Sequence, residues 1–149
     1  MILPKFEFHE PTSVAEACDL LARHRGKARP LAGGTDLLVN MKKKVLSPGH
    51  LVSLGRIPEL SRLERSNGTL WVGAGVTVSD IAASEVVAKA AGALGQGARG
   101  LGTPLIRNLA TIGGNIGSAR PAADLPPSLL VYKAELVLTA TSGERRMPI

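Results

Sequence analysis

The sequence predicts a mixed fold of helices and strands, arranged as two successive units. Ser13 opens a capping box followed by apolar residues at helical spacing, which predicts an early helix among strand-like segments. Further along, an Asn-Gly pair beginning at Asn67 separates two alternating runs, a strong local signal for a β-hairpin. Because the pattern changes between these features, we predict one unit over residues 1–55 and a second over residues 56–149.

The first unit is predicted to alternate strands with helices. The opening helix should end by Gly26, and ARPLA at residues 28–32 is a short strand candidate. A Gly-Gly pair then turns the chain, and DLLVNMKKK at residues 36–44 predicts a second helix with its lysines near the negative C-terminal end. HLVSL at residues 50–54 is strand-like and completes the unit.

The second unit combines the predicted hairpin with a helix and a final pair of strands. Residues 79–94 are rich in Ala and Val at helical spacing, and the glycines of residues 95–103 are predicted to break that helix. Residues 134–148 have the pattern of a strand, a turn and a strand. Ile149 arrives in the middle of the last strand, which suggests a fragment or one piece of a larger subunit.

The composition is that of an ordinary globular chain with few aromatic residues. Apolar residues make up 44% and charged residues 20% of the 149 residues, so neither disorder nor a rod-like coiled coil is expected. Aromatic residues are only 3%, which leaves few side chains to stack on nucleic-acid bases. The net charge of +6 is scattered, and it suits a solvated face, an acidic partner or an anionic cofactor.

The cysteine count and the short apolar runs indicate the cellular compartment. Cys18 is the single cysteine, so this chain alone cannot form a disulfide framework, a zinc knuckle or an iron–sulfur cluster. Charged residues and a proline interrupt the first ten residues, which argues against a signal peptide. No stretch approaches the ~18 uninterrupted apolar residues of a membrane span. We therefore expect a soluble, cytoplasmic protein.

A literal G-x-G-x-x-G motif occurs at Gly95, Gly97 and Gly100. A dinucleotide fingerprint needs a strand before its glycines and a helix after them, because the pyrophosphate sits on the N-terminus of the new helix. Here a helical segment precedes the glycines and a proline follows soon after. We therefore do not expect a Rossmann site.

The histidines and serines give no catalytic signature. His9, His24 and His50 are isolated in sequence and lack metal-ligand spacing, so we interpret each as a surface or loop residue and predict no metal site. No serine lies in the strand-to-helix elbow of the hydrolases. The lack of side-chain catalysts favours a binding function, or chemistry performed by a cofactor.

Two Gly-Gly pairs, at residues 33–34 and 113–114, occupy similar settings. Consecutive glycines reach positive φ at little cost and can expose N–H groups as a concave anion nest, which suits a diphosphate. Thr35 and Asn115 add a hydroxyl and an amide beside each pair, and Asp124 is expected to accept hydrogen bonds from sugar or ribityl hydroxyls. Each pair alone is also compatible with a simple tight turn.

The segments around these pairs resemble a known family. AGGTDLLVNMK at residues 32–42 and TPLIRNLATIGGNIGSARPAADLPPSLL at residues 103–130 are similar to the signature segments of the FAD-binding subunit or domain of the molybdenum hydroxylases. That group includes xanthine dehydrogenase, aerobic carbon monoxide dehydrogenase, 4-hydroxybenzoyl-CoA reductase and aldehyde oxidoreductases. WVGAGVTVSDI at residues 71–81 and the final strand segment also match, so the resemblance spans nearly the whole chain.

The resemblance implies an α+β fold: a two-subdomain FAD-binding domain of the vanillyl-alcohol-oxidase (PCMH) type, with the cofactor between the subdomains. It implies two pyrophosphate loops, an apolar residue against the cofactor and one acidic polar contact. The implied cofactor-binding residues are Leu31, Ala32, Gly33, Gly34, Thr35, Asp36, Leu37, Leu101, Thr111, Ile112, Gly113, Gly114, Asn115 and Asp124.

The resemblance also implies an activity. The chain is expected to be the flavin subunit of an oxidoreductase that acts only within a complex, taking electrons from [2Fe–2S] clusters of a partner subunit and passing them to NAD⁺ or another acceptor. A molybdopterin subunit would hydroxylate the substrate. Family subunits usually continue beyond this length, so the C-terminal subdomain is expected to be absent here. The alternative is a truncated, non-catalytic interaction module of the same fold.

Overall fold

The computed structural model describes residues 2–149, so Met1, the first residue of the predicted first unit, lies outside the described part. The first unit holds three short strands and two helices: β1 (Glu7–His9), α1 (Val14–Arg23), β2 (Ala28–Leu31), α2 (Leu37–Lys42) and β3 (His50–Ser53). The strands form one parallel sheet in the order β1-β3-β2. Strands β2 and β3 and both helices confirm the sequence prediction, whereas β1 was not predicted.

Strand β3 is central because its apolar residues are buried by the rest of the unit. Leu51 and Val52 are 1% and 0% exposed, and the strand pairs with β1 on one side and β2 on the other. Val52 packs with Ala17 of α1 and with Ala28 and Ile57 in a small core. This small core lies beneath α1, and Ile57 contributes to it from just beyond the predicted boundary at residue 55.

The capping box at the start of α1 is confirmed. Ser13 Oγ accepts a hydrogen bond from the N–H of Glu16 at 3.2 Å, which satisfies one of the free donors of the helix start. The Glu16 carboxylate reaches back to the N–H of Thr12 at 2.9 Å. The helix ends at Arg23, and Gly26 follows with a φ of +81° that favours glycine.

The second unit contains the predicted hairpins. The first hairpin consists of β4 (Leu63–Ser66) and β5 (Thr69–Val72), preceded by a 3-10 turn over Pro58–Ser61. Asn67 and Gly68 both have positive φ, at +50° and +79°, as a type I′ turn requires. The second hairpin consists of β6 (Glu135–Ala140) and β7 (Gly143–Pro148). Both hairpin predictions are confirmed.

Six short helices fill the rest of the second unit: α3 (Val78–Ala83), α4 (Glu85–Ala90), α5 (Gly92–Gly100), α6 (Pro104–Arg107), α7 (Ile112–Gly117) and α8 (Pro126–Val131). The sequence predicted one helix over residues 79–94, broken by the following glycines, and that prediction is wrong in both respects. Ser84 ends α3 and caps α4 through the N–H of Val87, so the segment is divided earlier.

Helix α5 runs through the glycines because packing outweighs their poor helix propensity. Leu94, Gly95 and Ala98 form its buried face. A Cβ built on Gly95 would lie 3.6 Å from Cγ1 of Val87, an ordinary van der Waals contact, so α5 packs against α4 at this position. Each glycine in a helix costs about 1 kcal/mol relative to alanine, and burial of the apolar face of α5 offsets this cost.

The main core lies in the second unit. Its buried members are Val76, Val78, Ile81, Val87, Ala91, Leu94, Ala98, Leu101, Ala110, Ile112, Leu125 and Leu129. Within residues 2–149, no helix combines the length and apolarity that crossing a bilayer would demand.

Candidate functional site

A groove of about 860 Å³ runs between the two units. One wall consists of residues from the end of β2 through α2 and just beyond, and the other of residues 110–121 around α7. Leu54 and Ala74 contribute from the loops after β3 and β5. Both Gly-Gly pairs face this groove, so the fold brings together two segments that are about 80 residues apart in sequence.

Glycine is required at two close backbone contacts beside the groove. A Cβ on Gly33 would lie 1.8 Å from the carbonyl oxygen of Leu109, and a Cβ on Gly113 would lie 2.7 Å from the carbonyl oxygen of Ala74. Real Cβ atoms do not approach oxygen that closely, so any side chain would force the backbones apart. A simple tight turn would not need such contacts, and the pairs therefore do more than reverse the chain.

The first glycine segment keeps its backbone donors available. Gly34 has a φ of +72°, and the chain then enters α2 with the N–H of Leu38 bonded to the Gly34 carbonyl at 3.0 Å. No backbone carbonyl of residues 2–149 accepts a hydrogen bond from the N–H groups of residues 33–36. All of these residues line the groove. A run of unused N–H groups with a positive φ in its middle is the arrangement of an anion nest.

The second glycine segment does not form the nest that the sequence predicted. Thr111 caps α7 and accepts from the N–H of Gly114 through its hydroxyl at 3.0 Å and from the N–H of Asn115 through its carbonyl at 2.9 Å. The N–H groups of Ile112 and Gly113 donate to Val76 and Ala74. With these donors used inside the protein, the segment offers the groove a smooth glycine surface instead.

Asn115 carries an unmet hydrogen-bonding group. Its Oδ1 is buried and has no partner within the described chain, and the residue lines the groove. A buried acceptor without a donor destabilises a protein by about 1–3 kcal/mol. An N–H or O–H group of a bound molecule would remove that penalty, so the atom marks a point where the groove is built to receive a donor.

Most of the implied cofactor residues line the groove, but Leu31, Leu101, Ile112 and Asp124 do not. Leu31 lies beneath the first loop, with its Cδ1 3.1 Å from the position of a Gly34 Cβ. Leu101 and Ile112 belong to the core of the second unit, at 7% and 5% exposure. Asp124 is exposed beside α5, and its carbonyl oxygen lies 3.3 Å from the position of a Gly97 Cβ.

The sequence did not single out several polar residues of the groove. Arg120 donates to Asp36 at 3.3 Å and to Asn40 at 3.5 Å, which ties the two walls together across the opening. Both members of the Arg120–Asp36 pair are about half exposed, so the pair contributes little to stability. Arg29 adds a second cation to the lining. No signal in the sequence links residues 80 positions apart, so only the fold reveals this contact.

The interpretation of the histidines as separate surface or loop residues is wrong. His9 ends β1, His50 begins β3 and His24 caps the end of α1, and all three are half-buried. Their ring nitrogens lie within 4.8 Å of one another. They lie outside the groove and are considered separately below.

Comparison with known proteins decides the family. Residues 4–149 match the family described as the FAD-binding domain in molybdopterin dehydrogenase. The chain belongs to this family. The resemblance in the sequence, the α+β fold of the vanillyl-alcohol-oxidase (PCMH) type and FAD as the cofactor of the domain are thereby confirmed.

Several relatives of this FAD-binding domain are subunits of oxidoreductases. The carbon monoxide dehydrogenase medium chain of Hydrogenophaga pseudoflava is 37% identical over 99% of this chain and 52% of its own length. The glyceraldehyde dehydrogenase medium chain of Sulfolobus acidocaldarius is 33% identical over 97% of this chain and 51% of its own. The xanthine dehydrogenase FAD-binding subunit of Escherichia coli O157:H7 is 32% identical over 95% of this chain and 49% of its own.

Solved structures show the same similarity. Carbon monoxide dehydrogenase from Hydrogenophaga pseudoflava superposes with a TM-score of 0.97 at 37% identity, covering 99% of this chain and 52% of that one. Quinoline 2-oxidoreductase from Pseudomonas putida 86 superposes with a TM-score of 0.95 at 30% identity, with the same coverage. This FAD-binding domain thus spans about half the length of the curated relatives it matches.

The groove fits the cofactor of the family. The N–H groups of the first loop suit a diphosphate, and the glycine surface of the second segment lets a long ligand lie close to the backbone. The unpartnered Oδ1 of Asn115 calls for a ligand donor, which FAD has in its hydroxyl and ring N–H groups.

Proposed function

We propose that this chain is the FAD-binding part of the electron-transferring flavin subunit of a molybdenum hydroxylase. It takes electrons from [2Fe–2S] clusters held by a partner subunit and passes them to NAD⁺ or another acceptor. The observation that carries the proposal is the groove between two glycine segments, in a chain of the FAD-binding family. The units over residues 1–55 and 56–149 act as the two subdomains on either side of the cofactor.

The first loop is proposed to hold the diphosphate of FAD. The N–H groups of residues 33–36 donate to phosphate oxygens, and the Thr35 hydroxyl adds a donor beside them. Arg29 and Arg120 on the same groove supply positive charge that offsets the charge of the phosphates. Arg120 is already held by Asp36, so its guanidinium is positioned before the ligand arrives.

The second glycine segment is proposed to position the rest of the cofactor. Gly113 and Gly114 keep side chains out of its path, and Asn115 Oδ1 accepts from a hydroxyl or ring N–H group. The roles of Leu101 as an apolar neighbour and Asp124 as a polar contact stay predictions. They require the cofactor to extend past the α7 side of the groove toward the end of α5.

The chain binds and orients, and FAD supplies the redox chemistry. When bound, FAD would supply the capacity for both one-electron and two-electron transfer, which no side chain of the groove has. The groove lining contains no histidine or cysteine and no second carboxylate beside Asp36 to act with it as an acid–base pair. The residues of the groove therefore set where the flavin lies and how far water is excluded from it.

The partners follow from the proposal. An iron–sulfur subunit and a molybdopterin subunit complete a heterotrimeric complex, and the molybdopterin subunit selects the substrate. Relatives at 37% and 33% identity carry the names of carbon monoxide and glyceraldehyde dehydrogenases, so similarity of this chain does not choose between substrates. We place the complex in the cytoplasm, without a nucleic-acid partner.

Two variants, each replacing one glycine by leucine, test the flavin site. Gly117 lines the groove and Gly100 does not, and a Cβ on either would meet no atom within 4 Å. Gly117→Leu should keep the fold but overfill the groove, which weakens FAD binding by about 1–3 kcal/mol, or roughly 5- to 150-fold. Gly100→Leu should bind FAD normally.

The readout is the visible absorption of flavin that remains after incubation with FAD and gel filtration. The 149-residue chain and the full-length subunit are measured side by side. Equal retention by both leucine variants would contradict the site, and no flavin on either unmodified protein would favour the non-catalytic interaction module. Flavin on the longer protein alone would mean that further residues complete the site.

A further inference from the structure

The chain's three histidines come together beside the first sheet. His9 and His50 lie on the neighbouring strands β1 and β3, with Nε2 of His9 3.2 Å from Nδ1 of His50. His24 reaches them from the end of α1, and its ring stacks on His50 with centroids 3.8 Å apart. These residues are 15 to 41 positions apart in sequence, so the fold alone assembles the cluster.

A carboxylate completes the cluster. Oε2 of Glu7 lies 3.4 Å from Nδ1 of His50 and 4.0 Å from Nε2 of His9. Glu7 and His9 share one face of β1 because they are two residues apart in a strand, and Glu7 stands opposite His50 in the sheet. The backbone register therefore places three of the four side chains side by side.

The spacing of these atoms is close to that of a tetrahedral metal site. With metal–nitrogen bonds of about 2.0–2.1 Å, ligand atoms of a tetrahedron lie about 3.3 Å from one another. The His9–His50 and Glu7–His50 separations of 3.2 and 3.4 Å match this value. The ligand nitrogens of the three histidines all lie within 4.8 Å of one another and the His9–Glu7 separation is 4.0 Å, so binding one ion requires these side chains to draw closer together.

The surroundings of His24 favour the form of its imidazole that binds metals. Partial burial, followed by the neighbouring His50 and His9, lowers the pKa of His24 below its usual value. The side chains of His9 and His50 are only 22% and 15% exposed. A neutral imidazole offers a lone pair to a metal ion, whereas a protonated one does not.

We propose that His9, His24 and His50, together with Glu7, bind one divalent transition-metal ion, with Zn²⁺ the best match to three nitrogens and one oxygen. The ion would cross-link β1, β3 and the end of α1 by binding a side chain from each. A catalytic role is not implied, because His50 begins β3 while Leu54, just past its other end, lines the flavin groove. The proposal does not depend on the flavin function.

The test uses the purified 149-residue chain without a histidine tag, freed of metal with a chelator that is then removed. Calorimetric titration with zinc chloride should show one ion per chain and a rise in melting temperature. Cobalt(II) chloride should give the strong visible absorption of a four-coordinate ion. In the proton NMR spectrum, bound cobalt(II) should shift ring signals of all three histidines.

Variants locate the ion. His50→Gln or His24→Gln should weaken zinc binding at least tenfold, and Glu7→Gln should weaken it less because water can replace the carboxylate. Cys18→Ser is the matched control, since Cys18 carries the chain's single thiol, a strong zinc ligand, and lies on α1 outside the cluster, with its Sγ donating to the carbonyl of Thr139 at 3.5 Å.

Several outcomes would overturn the proposal. Zinc binding unchanged by both histidine variants would show an adventitious surface site. Binding lost in Cys18→Ser alone would move the ion to the thiol. If a histidine variant fails to fold, the cobalt(II) NMR shifts of the unmodified chain decide, and unshifted histidine signals would show that the cluster is a set of hydrogen-bonded imidazoles only.

Discussion

Asn115→Leu should change the stability of the flavin-free chain and its affinity for FAD in opposite directions. The substitution replaces an amide whose Oδ1 is buried without a partner by an apolar side chain of similar length. The amide contributes no hydrogen bond through that atom in the flavin-free protein, so its loss removes a penalty. Leucine also has the better helix propensity, and residue 115 lies within α7.

The magnitudes follow from the cost of an unmet hydrogen-bonding group. Removing it should stabilise the flavin-free chain by about 1–3 kcal/mol. For a chain of this length each kcal/mol raises the melting temperature by about 2–4 °C, so we expect an increase of roughly 2–12 °C. Losing the acceptor should weaken FAD binding by about 1–3 kcal/mol, or roughly 5- to 150-fold.

Thermal melts followed by circular dichroism and FAD titrations followed by flavin fluorescence measure the two effects. Asn108→Leu is the control, because Asn108 is exposed at the end of α6 and does not line the groove. The reasoning would be refuted if Asn115→Leu lowered the melting temperature, or if it left the affinity for FAD unchanged. A fall in both quantities would mean that Asn115 is a packing residue.

Other predictions concern packing and the rest of the site. Gly33→Ala should destabilise the fold by about 3 kcal/mol or more in urea denaturation, because its Cβ would lie 1.8 Å from the Leu109 carbonyl oxygen; normal stability would show that the two walls can separate. Leu94→Ala should cost about 2–5 kcal/mol in the same assay, since Leu94 is 1% exposed in the main core, and a smaller loss would indicate that the core relaxes around it. Asp124→Ala should weaken FAD binding by about 1–3 kcal/mol in a fluorescence titration, and an unchanged affinity would remove Asp124 from the proposed site.

The features that sequence analysis predicted well depend on short-range interactions. The capping box at Ser13 and the Asn67-Gly68 turn each involve hydrogen bonds or backbone angles within a few residues, so their sequence patterns were sufficient. The glycine segments were located for the same reason, although the prediction gave both of them free N–H groups. The acceptors of the second segment, such as Val76 and Ala74, lie on another loop and could not be inferred from it.

The errors concern features that depend on distant residues. The division of residues 79–94 follows from the Ser84 cap, and the continuation of α5 through its glycines follows from burial of Leu94 and Ala98 in the main core. A pattern of glycines predicts a break only where burial of the neighbouring residues does not offset their poor helix propensity. Here α5 is buried against residues distant in sequence, such as Leu125 and Leu129, so the local preference did not decide the outcome.

The sequence by itself determined the family, the two glycine segments and the local elements, because these depend on residues that are neighbours along the chain. Only the tertiary structure decided which N–H groups stay available for a ligand, how Arg120 meets Asp36, and how His9, His24 and His50 become one cluster. Each of these depends on contacts between residues far apart in sequence, and the free energy of such contacts comes from burial and hydrogen bonding that form only when the whole chain folds.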